Sequence, residues 1–181
     1  MSRKTRMIPY ALLGAAVTLA GVVELLRDDR IADESRDRQT LVEWNNEMIR
    51  AHVCGDWTNA ARIAGKILAQ PAWRTFVPAN AVMGSALAQE GDYAAAEPFF
   101  KAALSGKGSA APQPVVMNDY ADTLRHLKRY DEAESLARRA IAASGGRVKL
   151  YELTLAQILR DAGKDLGEMD AILAQYERFR N

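Results

Sequence analysis

Two histidines, one cysteine and a few closely spaced carboxylates are the residues of this 181-residue chain with the chemistry for proton transfer, nucleophilic attack or metal binding. A thiol attacks as a thiolate and needs a base within hydrogen-bond reach. His52 and Cys54 are two residues apart, so on one helix they point to different faces and cannot form that pair. Cys54 is the single cysteine, which excludes an intrachain disulfide and any cysteine-cluster metal site. It does not settle the compartment, because a protein without disulfides can live on either side of a membrane. Asp119 and Asp122 share a helix face, where such pairs are usually exposed to solvent. His126 lies in the basic run Arg125-His126-Leu127-Lys128-Arg129, which Asp119, Asp122, Asp131, Glu132 and Glu134 surround. That pattern reads as a solvated helix face and turn. No glycine-rich phosphate loop or metal-ligand spacing appears. The expectation is no catalytic residue, no cofactor, no metal and no enzyme activity.

Overall charge excludes a further class. Lys+Arg number 24 and Asp+Glu 23, giving a net charge of +1 and a pI near 7.8. Nucleic-acid binding needs a basic footprint that this balance does not supply.

The elements that position these residues begin with an unusual N-terminus. Residues 1–6 are a basic tail carrying Arg3, Lys4 and Arg6. Met7 to Val23 then runs without a charge, at the short end of what spans a bilayer, and Leu25 and Leu26 extend it past Glu24. Pro9 sits near the start, where a helix tolerates it. The favoured reading is a single-pass transmembrane signal anchor over residues 7–26. The alternatives are a cleaved signal peptide, for which Thr18-Leu19-Ala20 is a poor site, and a buried helix of a soluble fold. The basic tail favours an N-terminus in the cytoplasm and the remainder in an extracytoplasmic, periplasmic space, although Arg27, Arg30, Arg36 and Arg38 weaken that bias. Ala11, Gly14, Thr18 and Gly21 form a small-residue stripe that permits close helix–helix approach in lipid. Residues 27–40 are almost wholly charged and polar and read as an exposed stalk.

From Leu41 onward the chain repeats itself. GDWTNAARIAGKIL at Gly55 returns as GDYAAAEPFFKAAL at Gly91. The turn residues Trp57, Tyr93, Tyr130 and Leu166 are spaced 36, 37 and 36 apart. Three residues after each come Ala60, Ala96, Ala133 and Met169, and later Ile67, Ala103, Ala140 and Tyr176. Before each turn lies another helical pattern: Trp44-Met48-Ala51, Met83-Gly84-Leu87, Met117-Ala121-Leu124 and Leu155-Ala156-Leu159. Each unit is helix, short turn, helix. Gly55 and Gly91 end first helices, and small residues such as Gly84, Ala96, Ala121 and Ala133 mark where two helices must approach closely. Ser105 to Pro114 reads as a surface loop, and the last unit needs a one-residue insertion in its turn.

Gly84…Leu87…Gly91-Asp92-Tyr93…Ala96…Phe100…Ala103 and Ala121…Leu124…Tyr130-Asp131-Glu132-Ala133…Ala137…Ala140 resemble the tetratricopeptide repeat. The resemblance covers about Leu41 to Phe179. It implies an all-α, helical-hairpin solenoid of about four pairs over residues 41–181, preceded by one transmembrane helix. Pro98, inside a second helix, is similar to the Glu-Pro of kinesin-light-chain-type repeats. The family's superhelix has a concave face lined by first helices, which here places Asn45, Ile49, His52, Ser85, Asn118, Asp122, Arg125, Gln157 and Arg160 in a partner groove, with Ala81, Ala88 and Leu153 among them. The basic carboxylate clamp of chaperone-binding members is absent: Ile49, Val82, Val115 and Asp119 stand at the corresponding places. The groove suits an extended peptide or a partner helix. The implied role is a membrane-anchored adaptor for a protein partner in assembly, secretion or bacterial envelope maintenance. A homo-oligomeric structural membrane protein, self-associating through span and stalk, is the alternative.

Overall fold

The computed structural model describes residues 33–105, 113–167 and 169–180, in two units that divide between Glu43 and Trp44. Every regular element among these residues is helical. They are α1 (33–53), α2 (Trp57–Leu68), a short 3-10 turn (Pro71–Trp73), α3 (Val77–Gln89), α4 (Tyr93–Ser105), α5 (Pro114–His126), α6 (Tyr130–Ala143), α7 (Lys149–Asp161) and α8 (Met169–Arg180). The basic tail, the 7–26 anchor and residues 27–32 of the stalk lie outside the described residues. So do most of the Ser105–Pro114 loop and the Tyr176 side chain. No described helix is long and apolar enough to cross a membrane.

In the first unit, residues 33–43 are helical and expose almost every side chain. Arg36 pairs with Asp33 at 3.3 Å, and the Thr40 hydroxyl donates to the Arg36 carbonyl at 2.9 Å. Such exposed pairs contribute only about 0.3–0.5 kcal/mol each, so this segment is held by local helix bonds and not by a core.

In the second unit, helix ends are set by residues in the left-handed conformation. Gly55, Gly91 and Gly163 have φ of +76°, +86° and +68°. At each, the following amide donates back to the carbonyl five residues earlier: Asp56 to Ala51 (2.9 Å), Asp92 to Leu87 (3.0 Å) and Lys164 to Leu159 (2.9 Å). These bonds satisfy carbonyls that a helix end otherwise leaves without partners. Lys128 occupies the equivalent place in the third unit with φ 61°, the one non-glycine among the described residues with positive φ, and Arg129 makes the same bond to Leu124 at 2.9 Å. Asp56 and Asp92 then cap the next helix through the amides of Asn59 and Ala95.

The fourth turn departs further than a one-residue insertion. Helices restart two residues after Gly55, Gly91 and Lys128, but α8 starts at Met169, six after Gly163. Gly167 supplies a second left-handed residue at φ 51°, and Leu166 packs against the core from outside any helix.

Packing is sequential from α2 to α8, with α3 also touching α5 and α5 touching α7. Ala60, Ala96 and Ala133, each the fourth residue of its helix, are fully buried, as are Ala121 and Ala156. Gly84 makes room for a ring and not, as the repeat pattern implies, for a backbone: a Cβ there would lie 3.0 Å from the fully buried Phe100 ring. Met48 fills the core of the first helical pair, where the next two pairs place Gly84 and Ala121. Trp44 meets Trp73 edge-on at 6.0 Å with Lys66 above its ring, which seats the 3-10 turn. Pro98 removes a helix bond to the carbonyl of Ala94, which is exposed to water and keeps the loss small.

Polar ties cross between units. Glu97 of α4 accepts from the Tyr120 hydroxyl of α5 at 3.0 Å, from Lys101 and from Arg129. The bonds from Lys101 and Arg129 hold its carboxyl down at about 2. Lys164 reaches Asp131 (2.6 Å) and Glu134 (2.9 Å). Within the basic run, Arg125 and Arg129 are both held in ion pairs, while His126 and Lys128 are exposed.

Three outcomes test this packing. Gly84→Leu or Ala121→Leu should each cost about 1–3 kcal/mol in denaturant unfolding by overpacking. Lys128→Gly should raise stability by about 0.5–1 kcal/mol, because glycine escapes the left-handed penalty. A carboxyl with a depressed folded pKa stabilises above its unfolded value, so Glu97's contribution is complete above pH 4.5 and lost as pH falls toward 2. An acid titration of Glu97→Gln should show a shallower fall in stability over that window.

Candidate partner-binding groove

The first helix of each unit turns one face toward a common groove of about 470 Å³. α1 contributes His52, and α3 contributes Ser85, Ala88 and Gln89. From α5 come Asn118, Asp119, Asp122 and Arg125, which helical spacing places on one side. α7 adds Leu150, Leu153, Thr154 and Gln157, and Trp57 closes one end from the start of α2.

Of the residues expected in the groove, six line this cavity together: His52, Ser85, Asn118, Asp122, Arg125 and Gln157. Asn45, Ile49 and Arg160 do not line it. Ile49 is exposed, Asn45 carries a buried Oδ1 without a hydrogen-bond partner among the described residues, and Arg160 pairs with Asp161 at 3.1 Å. Asn45 lies about two turns before His52 and Arg160 about one turn after Gln157, both beyond the part of these helices that the cavity occupies.

Asp119 is the main correction. Its i,i+3 spacing with Asp122 suggests a solvated pair, yet Asp119 is enclosed between α3 and α5. The Ser85 hydroxyl donates to its Oδ2 at 3.1 Å. Burial pushes the Asp119 carboxyl above the usual aspartate range, against hydrogen bonds from Ser85 and Asn118 and the nearby His52. Asp122 behaves differently, because Arg125 binds it at 2.8 Å while also gripping Asp161 at 2.7 Å. Only the second step of the stack, with α7 brought beside α5, reveals that division, so no local signal in the sequence carries it.

Ser85, His52 and Asp119 share the groove without forming a nucleophilic relay. The Ser85 proton goes to a carboxylate, and His52 Nδ1 has no hydrogen-bond partner among the described residues. The His52 ring instead meets Trp57 edge-on at 4.9 Å. Among the described residues no three or more His, Cys, Asp or Glu gather as metal ligands. The second histidine, His126, stacks flat on Tyr93 at 4.1 Å, away from the cavity. Cys54 is exposed and free. What the groove offers is a wall of hydrogen-bonding groups with apolar side chains beside them.

Residues 87–158 match the tetratricopeptide repeat. The matched stretch begins near the end of α3 and ends within α7, so it takes in the whole of α4, α5 and α6 and the α5 face of the groove. No curated protein matches the chain. The match and the all-helical architecture together support a tetratricopeptide-repeat protein, a scaffold type whose stacked helices present an extended surface to protein partners.

The enclosed carboxylate makes a pH-dependent prediction. A carboxyl whose folded pKa is raised holds its proton more tightly when folded, so stability falls as pH climbs from 3.8 through the folded value. Asp119→Asn keeps an acceptor for Ser85 and removes the charge. Its melting temperature should exceed that of the unaltered chain at pH 7, with the difference shrinking below pH 4.

Proposed function

We propose that this protein is a membrane-anchored adaptor that holds a protein partner in the groove between its first helices. The observation that carries the reading is the groove itself: one face of the four first helices, α1, α3, α5 and α7, rich in hydrogen-bonding groups. The match of residues 87–158 to a protein-interaction repeat supports it. The anchor rests on sequence, on the uncharged run from Met7 to Val23 behind Arg3, Lys4 and Arg6. On this reading the repeats lie outside the cytoplasm and serve assembly, secretion or envelope maintenance. Self-association through the span, which the Ala11–Gly21 stripe would permit, is the competing outcome.

Photo-crosslinking in intact cells separates these. A crosslinker at Leu153 faces the groove, and one at Ser135 sits on the exposed side of α6. The expected result is an adduct with a different protein from Leu153 and none from Ser135. Adducts of twice the chain's own mass from both positions would replace the adaptor with a self-assembling protein. Deleting residues 7–26 should release the chain from alkali-washed membranes, and retention after that deletion would remove the anchor from the proposal.

A further inference from the structure

Within that groove, the polar groups have a particular sign. Arg125 is committed to two carboxylates, Asp122 and Asp161, so it offers little to an incoming anion. Asp119 is the reverse case. Among the described residues no lysine or arginine lies within ion-pair distance of it, and the neutral Ser85 hydroxyl donates to it at 3.1 Å. Beside it stands Asn118, 5% exposed, lining the same cavity, with its Oδ1 unmatched by any donor among the described residues.

Part of the wall around this carboxylate is apolar, among polar neighbours such as Gln89, Thr154 and Gln157. Leu150 is 59% exposed on α7, Leu153 lies one turn on, and Trp57 closes the end. A carboxylate that no lysine or arginine among the described residues pairs, with these three apolar side chains in the same cavity, describes a receptor for a group that is cationic at its tip and aliphatic along its stem. A divalent metal would want six or more oxygens, far beyond one carboxylate and one amide. An acidic ligand would face Asp119 and Asp122, with Arg125 already held by Asp122 and Asp161.

We propose that the groove takes a lysine or arginine side chain from an extended segment of the partner, with the Asp119 carboxylate as its counter-charge. Trp57, Leu150 and Leu153 line its stem. An ammonium or guanidinium brings several donors and no acceptor, which suits a carboxylate that no lysine or arginine among the described residues pairs. This assignment rests on the partner-binding reading above and narrows it to a basic anchor residue.

The test is selection of random heptapeptides displayed on phage against the full chain in detergent, followed by affinity measurement on synthetic winners. Peptides whose binding is blocked by Leu153→Glu are groove binders. The expected result is one register position occupied by lysine or arginine in those peptides. Replacing that residue by norleucine, and Asp119 by Asn, should each weaken binding at least tenfold. Made together, the two changes should weaken it little more than either alone, because they remove the same contact. Asp119→Asn keeps the Ser85 bond, and its circular dichroism and melting curve verify that it folds. Groove binders without a fixed basic position, or losses that multiply in the double change, would overturn the basic-anchor assignment and leave partner binding standing. Winners that Leu153→Glu does not affect would overturn both. A tenfold gain in peptide affinity on deleting residues 1–6 would assign the site to the chain's own basic tail and remove the partner from it.

Discussion

One residue per repeat, held in the left-handed conformation, decides where each helical pair folds back. The amide that follows it closes the helix end, and the side chains on either side of the turn are delivered into register by that closure. A glycine makes the turn at no steric cost. The third pair makes the same turn with Lys128, whose side chain is exposed and whose backbone keeps the same bond to Leu124. The hydrogen-bond pattern, and not the glycine, is what repeats. Once turns recur at this interval, alanines at the fourth position of the second helices come to face the first helices, and only small side chains or a ring against a glycine fit there.

The groove inherits its composition from that stacking. First helices are packed on two sides by their neighbours, so their third face is shared among units. Most of it behaves as a solvated surface, but the stretch between α3, α5 and α7 is deep enough to enclose Asp119. Sites that break the rule against burying an unpaired charge are commonly functional ones, because the fold gains nothing from them by itself. The contrast with Asp122 is instructive. Three residues away on the same helix, it is neutralised from within by Arg125 and belongs to the scaffold.

Much of the architecture is legible in the residues. Recurring Gly-Asp-aromatic turns, alanines at a fixed distance behind them and apolar spacing of period 3.6 all express short-range geometry, which a linear pattern records faithfully. Lys128 was hidden because no residue type advertises a left-handed conformation except glycine and asparagine. The fourth turn was misjudged for a related reason: Leu166 takes the packing place of an aromatic while lying outside the helix, so the hydrophobic pattern matched and the backbone did not. In the groove, helical spacing located the face but not its depth. Whether Asn45 or Asp119 is enclosed depends on how closely the next first helix lies, and that is a property of two elements far apart in the chain. The paired fates of Arg125 and Arg129 follow from carboxylates about 32 to 36 residues away, Glu97 and Asp161, a separation at which charge patterning in the sequence carries no signal.

The manner in which α8 is attached has a consequence for how the chain comes apart. Among the described helices it packs on α7 alone, with Leu173 as its one buried apolar residue among those described. In an array joined by nearest neighbours, free energy is shared along the line, and the terminal member has half the usual number of neighbours. Unravelling therefore starts at this end, like a zipper from its open teeth. Lys164, clasping Asp131 and Glu134 just before α8, is where such a run would meet its first polar catch before reaching the helices that build the groove.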